Sequence, residues 1–169
     1  MSLINGLPAH VLLVHVVVVL VPLAAVALAL AALWPRVARR LGPLLPLLAL
    51  VALVSVPLTT EAGDWLEHHV ERNALVHQHT ELGDGLLPWV LGLFVLAVAV
   101  WWAGRGTQAE PGQDGGSFRF GMPVRVVLGL LSLVVAVGAV VDVYRIGDSG
   151  AKAAWHDGFS ASATQPKGE

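Results

Sequence analysis

Seven histidines stand out in this chain, because imidazole can both bind a metal and exchange a proton near neutral pH. Two of them, His10 and His15, open the longest apolar run of the sequence in the stretch HVLLVH. An ionisable residue within a segment of this hydrophobicity is costly to place in lipid, and it therefore indicates a functional site. His79, before a later apolar run, is the third histidine placed to join them.

Imidazoles on facing helices can hold a haem iron from both sides. The chain has no cysteine and only two methionines, so histidine is the natural axial ligand. The absence of a C-x-x-C-H motif predicts non-covalent haem b. Our leading hypothesis is an electron-transferring haem b module near the outer face, with His10, His15 and His79 around the haem and Trp65 among the tryptophans that could wall it.

His10 and His15 are five residues apart, which places them about 140° apart around a helix axis. Both cannot point at one centre. We expect one of them to face the interior of the bundle and His79. The other should cap the helix, form a hydrogen bond or face the boundary with water.

Three alternatives to haem remain open. A divalent ion, Zn or Cu(II), could bind on the outer face through a set of imidazoles and carboxylates: Asp64, His68, His77 and Glu81. Proton handling by histidines is another, with Asp142 as companion. The third is a non-redox structural or interaction subunit of a membrane assembly. An enzyme is less favoured, because no nucleophile elbow, phosphate loop or dinucleotide fingerprint is present.

The elements that must position these residues are membrane helices. The 169 residues are 56% hydrophobic and 13% charged, well below the roughly 25% charged residues of soluble domains. Apolar runs long enough to cross a bilayer as helices are predicted at 9–34, 42–60, 85–103 and 123–144. We therefore expect an all-α integral membrane protein, a four-transmembrane-helix bundle, whose partners are lipid and either a membrane redox protein or further copies of itself. No dense basic stripe suggests nucleic acid.

Charge in the connecting segments predicts the orientation of the bundle. Arginines dominate after the first and third spans, whereas the segment 61–84 is acidic. The positive-inside rule then places 61–84 and both termini outside the bacterial inner membrane. All seven histidines fall at this outer side. The Gly- and Gln-rich stretch 104–122 is predicted to be a flexible cytoplasmic linker, and 157–169 a disordered tail that follows a membrane domain over 1–156.

Four segments in order resemble a known bacterial family: LPAHVLLVH at 7–15, TTEAGDW at 59–65, HTELGD at 79–84 and YRIGDSGAKAAW at 144–155. The family is domain of unknown function 2231, and the chain is most similar to its actinobacterial type. The resemblance implies a four-span membrane domain. It also implies that the family's recurrent polar residues fall on His10, His15, Thr60, Asp64, Trp65, His79 and Gly147.

The resemblance carries one departure and one hint of function. Relatives commonly have Gly-His-Ser-Gly in the last segment, where this chain has GDSG, with Asp148 in the histidine position. A bis-histidine site built only from the first and third spans would not be affected by that change. Members of the family are sometimes joined to Rieske-type domains, which favours redox work.

Overall fold

The computed structural model describes residues 3–4, 6–69, 74–105 and 122–155. Most of the predicted linker 104–122 and all of the predicted tail 157–169 lie outside the described residues, and so does His156.

Helices account for nearly all of the described chain. They are α1 (Ala9–Leu33), α2 (Pro35–Leu41), α3 (Leu44–Glu67), α4 (Ala74–Asp84), α5 (Leu86–Arg105) and α6 (Met122–Trp155). Four candidate membrane spans are long and apolar enough to cross a bilayer, with α4 and α5 together forming the third. The all-α, four-span bundle predicted from hydropathy is confirmed.

The spans form an up-and-down bundle in which α1 and α5 face each other across a diagonal. α1 packs against α3 and α6, and α5 packs against the same two helices. Successive spans run in opposite directions, so the bundle has two distinct ends. We call the end with the start of α1, the end of α3, α4 and the end of α6 the histidine end. The opposite end, with α2 and the end of α5, is the arginine end.

Two short strands precede the bundle at the histidine end. Leu3–Ile4 (β1) pairs antiparallel with Leu7–Pro8 (β2). Gly6 turns the chain between them at a φ of 82°, a conformation that glycine adopts without steric cost. Pro8 then leads directly into α1, so His10 lies in the first helical turn.

The interior is built largely from small and β-branched residues, and large apolar side chains cover the outside. Ala24, Ala52, Ala97 and Ala139 are almost fully buried. Small side chains let helix backbones approach closely where lipid supplies no hydrophobic driving force. Leucines and valines are exposed on every span, which is the expected surface for contact with hydrocarbon.

One tight contact joins α5 to α6. The indole ring of Trp89 lies against Gly138, and it occupies the space that a Cβ atom there would need. Among the other small residues of α6, Ser132 and Ala136 are buried, but Gly129 has no neighbouring atom within 4 Å of its Cβ position. The small residues of α6 therefore contribute unequally to packing.

Two spans continue as helix beyond their apolar runs at the histidine end. α3 extends through the acidic residues to Glu67, and α6 continues to Trp155. α4 packs against this last part of α6, which brings His79 beside it. The segment 61–84 therefore consists largely of helix that packs on the bundle.

Candidate functional site

His10 lies half-buried at the histidine end and is held by α3. Its Nδ1 is 3.0 Å from the backbone carbonyl oxygen of Thr59. A carbonyl oxygen can only accept, so Nδ1 must carry the proton and donate. The neutral ring therefore keeps its lone pair on Nε2.

His79 on α4 is held in the same way by α6. Its Nδ1 is 3.0 Å from Oγ of Ser149, and that hydroxyl donates its own hydrogen to the carbonyl of Ile146 at 2.8 Å. Since the only hydroxyl hydrogen of Ser149 is already used, its oxygen accepts from Nδ1–H of His79. The lone pair of His79 is therefore also on Nε2.

The two imidazoles meet across the diagonal of the bundle. Their ring centroids are 6.2 Å apart and the ring planes are 81° apart. No hydrogen bond to Nε2 of either ring is formed by the residues that the structure describes. Every span contributes to the arrangement: α1 and α4 supply the rings, and α3 and α6 supply their hydrogen-bond acceptors.

A glycine of the neighbouring helix lies against each ring. A Cβ atom at Gly63 would be 3.1 Å from both Cε1 and Nδ1 of His10. At Gly150 it would be 2.9 Å from Cε1 of His79. Contacts this short would push the rings away, so glycine at both positions allows each imidazole to sit close to the helix that orients it.

The other residues predicted around a haem lie elsewhere. His15 is exposed on the outer side of α1, and its Nδ1 bonds to the carbonyl of Val11 at 2.6 Å. The hydroxyl of Thr60 donates to the carbonyl of Pro57 at 3.0 Å. Trp65 stacks on His69, with centroids 3.9 Å apart. The structure brings together His10 and His79, and within the described residues no hydrogen bond or ring contact joins the other predicted residues to either ring.

The residues predicted to bind a divalent ion are not assembled. No group of three or more His, Cys, Asp or Glu side chains that could hold an ion occurs among the described residues. The imidazole of His68 bonds to the backbone carbonyl of Asp64, and not to the Asp64 carboxylate with which it was predicted to bind an ion. His77 pairs with Glu81 at 3.4 Å, and both side chains are about two-thirds exposed.

Two acidic residues of α6 complete the description of this region. Oδ2 of Asp142 is buried, has no hydrogen-bond partner among the described residues, and lies 3.9 Å from the position that a Cβ atom of Gly85 would take. Asp148, where the resemblance led us to expect a histidine, is exposed and pairs with Lys152 at 2.6 Å. Neither carboxylate takes part in the histidine pair.

Four parts of the arrangement were not identified from the sequence: Gly63, Gly150, Ser149 and the carbonyl of Thr59. A carbonyl carries no side-chain signal, and glycine is common in membrane helices. Ser149 and Gly150 do lie in the GDSG stretch, next to the one departure from the family pattern. That stretch was therefore the one sequence feature that could have pointed to the residues that support His79.

Comparison with known proteins identifies one family. Searches of curated proteins and of solved structures returned no significant match. A family model described as "Predicted membrane protein (DUF2231)" matches residues 6–163, which includes both imidazoles and every residue that supports them. The chain therefore belongs to this family of membrane proteins, domain of unknown function 2231.

Proposed function

We propose that this protein binds haem b between His10 and His79 and transfers electrons at the membrane. The observation that carries the proposal is the pair of imidazoles from facing helices, each anchored through Nδ1 and each with Nε2 left for a ligand bond.

The anchoring is the arrangement that metal-binding histidines need. Such a histidine usually donates its second ring N–H to a carbonyl, carboxylate or other acceptor, which fixes its tautomer and orientation. His10 does so through the carbonyl of Thr59, and His79 does so through Ser149. His15, His68 and His69 also bond through Nδ1, but to carbonyls of their own helix, whereas His10 and His79 are each held by a neighbouring helix.

The separation of the rings also fits one shared metal ion. If a metal ion lay between the two rings with both Nε2 atoms directed at it, metal–nitrogen bonds of about 2.0–2.1 Å would put the ring centroids about 6.4 Å apart. The observed separation is 6.2 Å.

The number of donors favours haem over a bare ion. Structural zinc takes four protein ligands and catalytic zinc takes three. Only two donors meet here, and the described residues include no third His, Cys, Asp or Glu to complete such a group. Haem takes four ligands from its own porphyrin, so one or two protein side chains are enough to hold its iron. If His10 and His79 both bound it, the iron would have no open position and would carry electrons rather than bind a substrate.

The competing function is a non-redox structural or interaction subunit. The angle of 81° between the rings is also that of an ordinary edge-to-face aromatic contact, in which the two rings would simply close this end of the bundle. This alternative requires no cofactor and predicts a colourless protein.

The absorption spectrum separates the two functions. The full-length protein is produced with haem supply and purified in mild detergent, and spectra are recorded before and after dithionite. We expect a Soret band that shifts on reduction. His10→Ala and His79→Ala should each abolish or alter it, because each removes one axial ligand.

His15→Ala is the matched control, because it removes an imidazole from the same helix without touching the pair. It should keep the wild-type spectrum. A protein that remains colourless after haem supply contradicts the proposal and favours the structural subunit. Equal loss of colour in His15→Ala would contradict the choice of ligands.

We further propose that the histidine end faces the outside of the bacterial inner membrane, where a membrane redox partner would exchange electrons with it. The arginines at the opposite end support this orientation through the positive-inside rule. A reporter active only in the cytoplasm, fused after residue 169, should be inactive. Strong activity of this reporter would show that the C-terminus is cytoplasmic and would contradict the proposed orientation.

A further inference from the structure

The short helix α2 is amphipathic, with its charged side facing away from the bundle. Val37, Ala38 and Leu41 pack against the buried core of the spans. The exposed arginines of α2 are Arg36, Arg39 and Arg40. Their i, i+3, i+4 spacing puts the three guanidinium groups on one face of the helix.

A fourth arginine lies at the same end on the neighbouring helix. α2 packs against α5, which ends at Arg105. The guanidinium carbon of Arg105 is 3.8 Å from the centroid of the Trp101 ring and 5.8 Å from that of Trp102. A guanidinium over an indole face is held by cation–π attraction and retains its hydrogen-bond donors at its edge.

No acidic side chain accompanies these arginines. The described residues at the arginine end, 34–48, 98–105 and 122–130, contain no Asp or Glu, and no ion pair is formed by any of the four guanidinium groups within the described residues. Their positive charge is therefore uncompensated by this part of the protein. An anion at the membrane surface can therefore pair with these guanidinium groups.

The aromatic residues indicate the depth at which that anion would lie. Trp34 and Trp102 are 54% and 60% exposed at the arginine end. Exposed tryptophans at the ends of membrane helices sit at the level of the lipid headgroups. Guanidinium groups at this level meet phosphodiesters, which they bind in a bidentate manner.

We propose that α2 and the end of α5 form a binding site for the phosphate of an anionic phospholipid, with Arg36, Arg39, Arg40 and Arg105 as its donors. Lipid is favoured over a soluble phosphate because α2 is pressed against the spans by its apolar side, which holds its arginines along the membrane surface. The site lies at the opposite end from the histidine pair and does not depend on haem.

Native mass spectrometry of the full-length protein, released from detergent with defined lipids, tests this site. We expect dioleoylphosphatidylglycerol to be retained in preference to dioleoylphosphatidylcholine. Each arginine near an anionic lipid surface contributes about fivefold to binding, so Arg39→Gln with Arg40→Gln should reduce the preference by more than tenfold. Arg39→Lys with Arg40→Lys should keep part of it, because charge is retained and the bidentate geometry is lost.

Arg145→Gln is the matched control, because it removes one exposed arginine from the histidine end. It should leave the preference unchanged, and circular dichroism should show the same helical content in all variants. Equal retention of both lipids by the wild-type protein, or an unchanged preference after Arg39→Gln with Arg40→Gln, would overturn the proposal. Displacement of phosphatidylglycerol by millimolar inorganic phosphate would overturn the assignment to lipid.

Discussion

The two ends of the bundle treat their polar side chains in opposite ways. At the histidine end, His10 and His79 face inward and are each held by one hydrogen bond to a neighbouring helix. At the arginine end, the guanidinium groups of α2 face outward without an acidic partner among the described residues. One end is therefore suited to hold a ligand within the protein, and the other to contact the headgroups of the surrounding lipid.

The difference follows from the cost of desolvation. A neutral imidazole whose N–H is hydrogen-bonded can be placed among helices, whereas a guanidinium remains charged and is expensive to bury. The apolar stems of arginine can lie along the protein while the charged group stays at the interface. Neutral, hydrogen-bonded imidazoles can thus lie among the helices at the histidine end, whereas the guanidinium groups of α2 stay at the surface.

Removing the support of His79 should have the largest effect among the following variants. Ser149→Ala deletes the acceptor for Nδ1–H of His79. Loss of such a supporting hydrogen bond typically weakens metal binding by about 10- to 100-fold, and we expect haem affinity to fall by that factor. Haem titration monitored by the Soret band measures it.

Ser132→Ala is the control for that experiment, since Ser132 is also a buried serine of α6 but lies away from the histidines. It should bind haem as the wild type does. Identical haem affinity in Ser149→Ala and the wild type would show that Ser149 does not support a ligand.

The tight contact between Trp89 of α5 and Gly138 of α6 should contribute to the stability of the bundle between its two ends. Gly138→Ala would place a Cβ atom where the ring of Trp89 lies, and such overpacking costs about 1–3 kcal/mol of the free energy of unfolding. Gly129→Ala meets no atom within 4 Å and should be neutral or stabilising by up to about 1 kcal/mol. Reversible unfolding in mixed detergent micelles compares the two, and equal stability would contradict the packing described for Trp89.

The smallest effect is expected at position 148, where the sequence resemblance led us to expect a histidine. Asp148→His introduces that histidine, but Asp148 points outward and pairs with the exposed Lys152. The new imidazole should therefore leave both the haem content and the spectrum unchanged. A new ligand band in the spectrum of this variant would mean that position 148 reaches the site.

Hydropathy predicted the spans because each apolar run must cross the same thickness of hydrocarbon. It did not predict that α3 and α6 continue as helix to Glu67 and Trp155, since those polar turns are stabilised by packing against other helices. Helical spacing established that only one of His10 and His15 could face inward. Which one does so depends on the contact with α3, where Gly63 leaves room for the ring of His10.

We propose that His10 and His79 are the two ligands of one haem. Low-temperature electron paramagnetic resonance of the oxidised, haem-loaded protein tests it most directly, because the signal of low-spin ferric haem depends on both axial ligands. We expect a low-spin signal of bis-histidine type in the wild type and in His15→Ala, and its replacement by a high-spin signal in His79→Ala. A wild-type protein that takes up no haem, or a low-spin signal that persists in His79→Ala, would contradict the account.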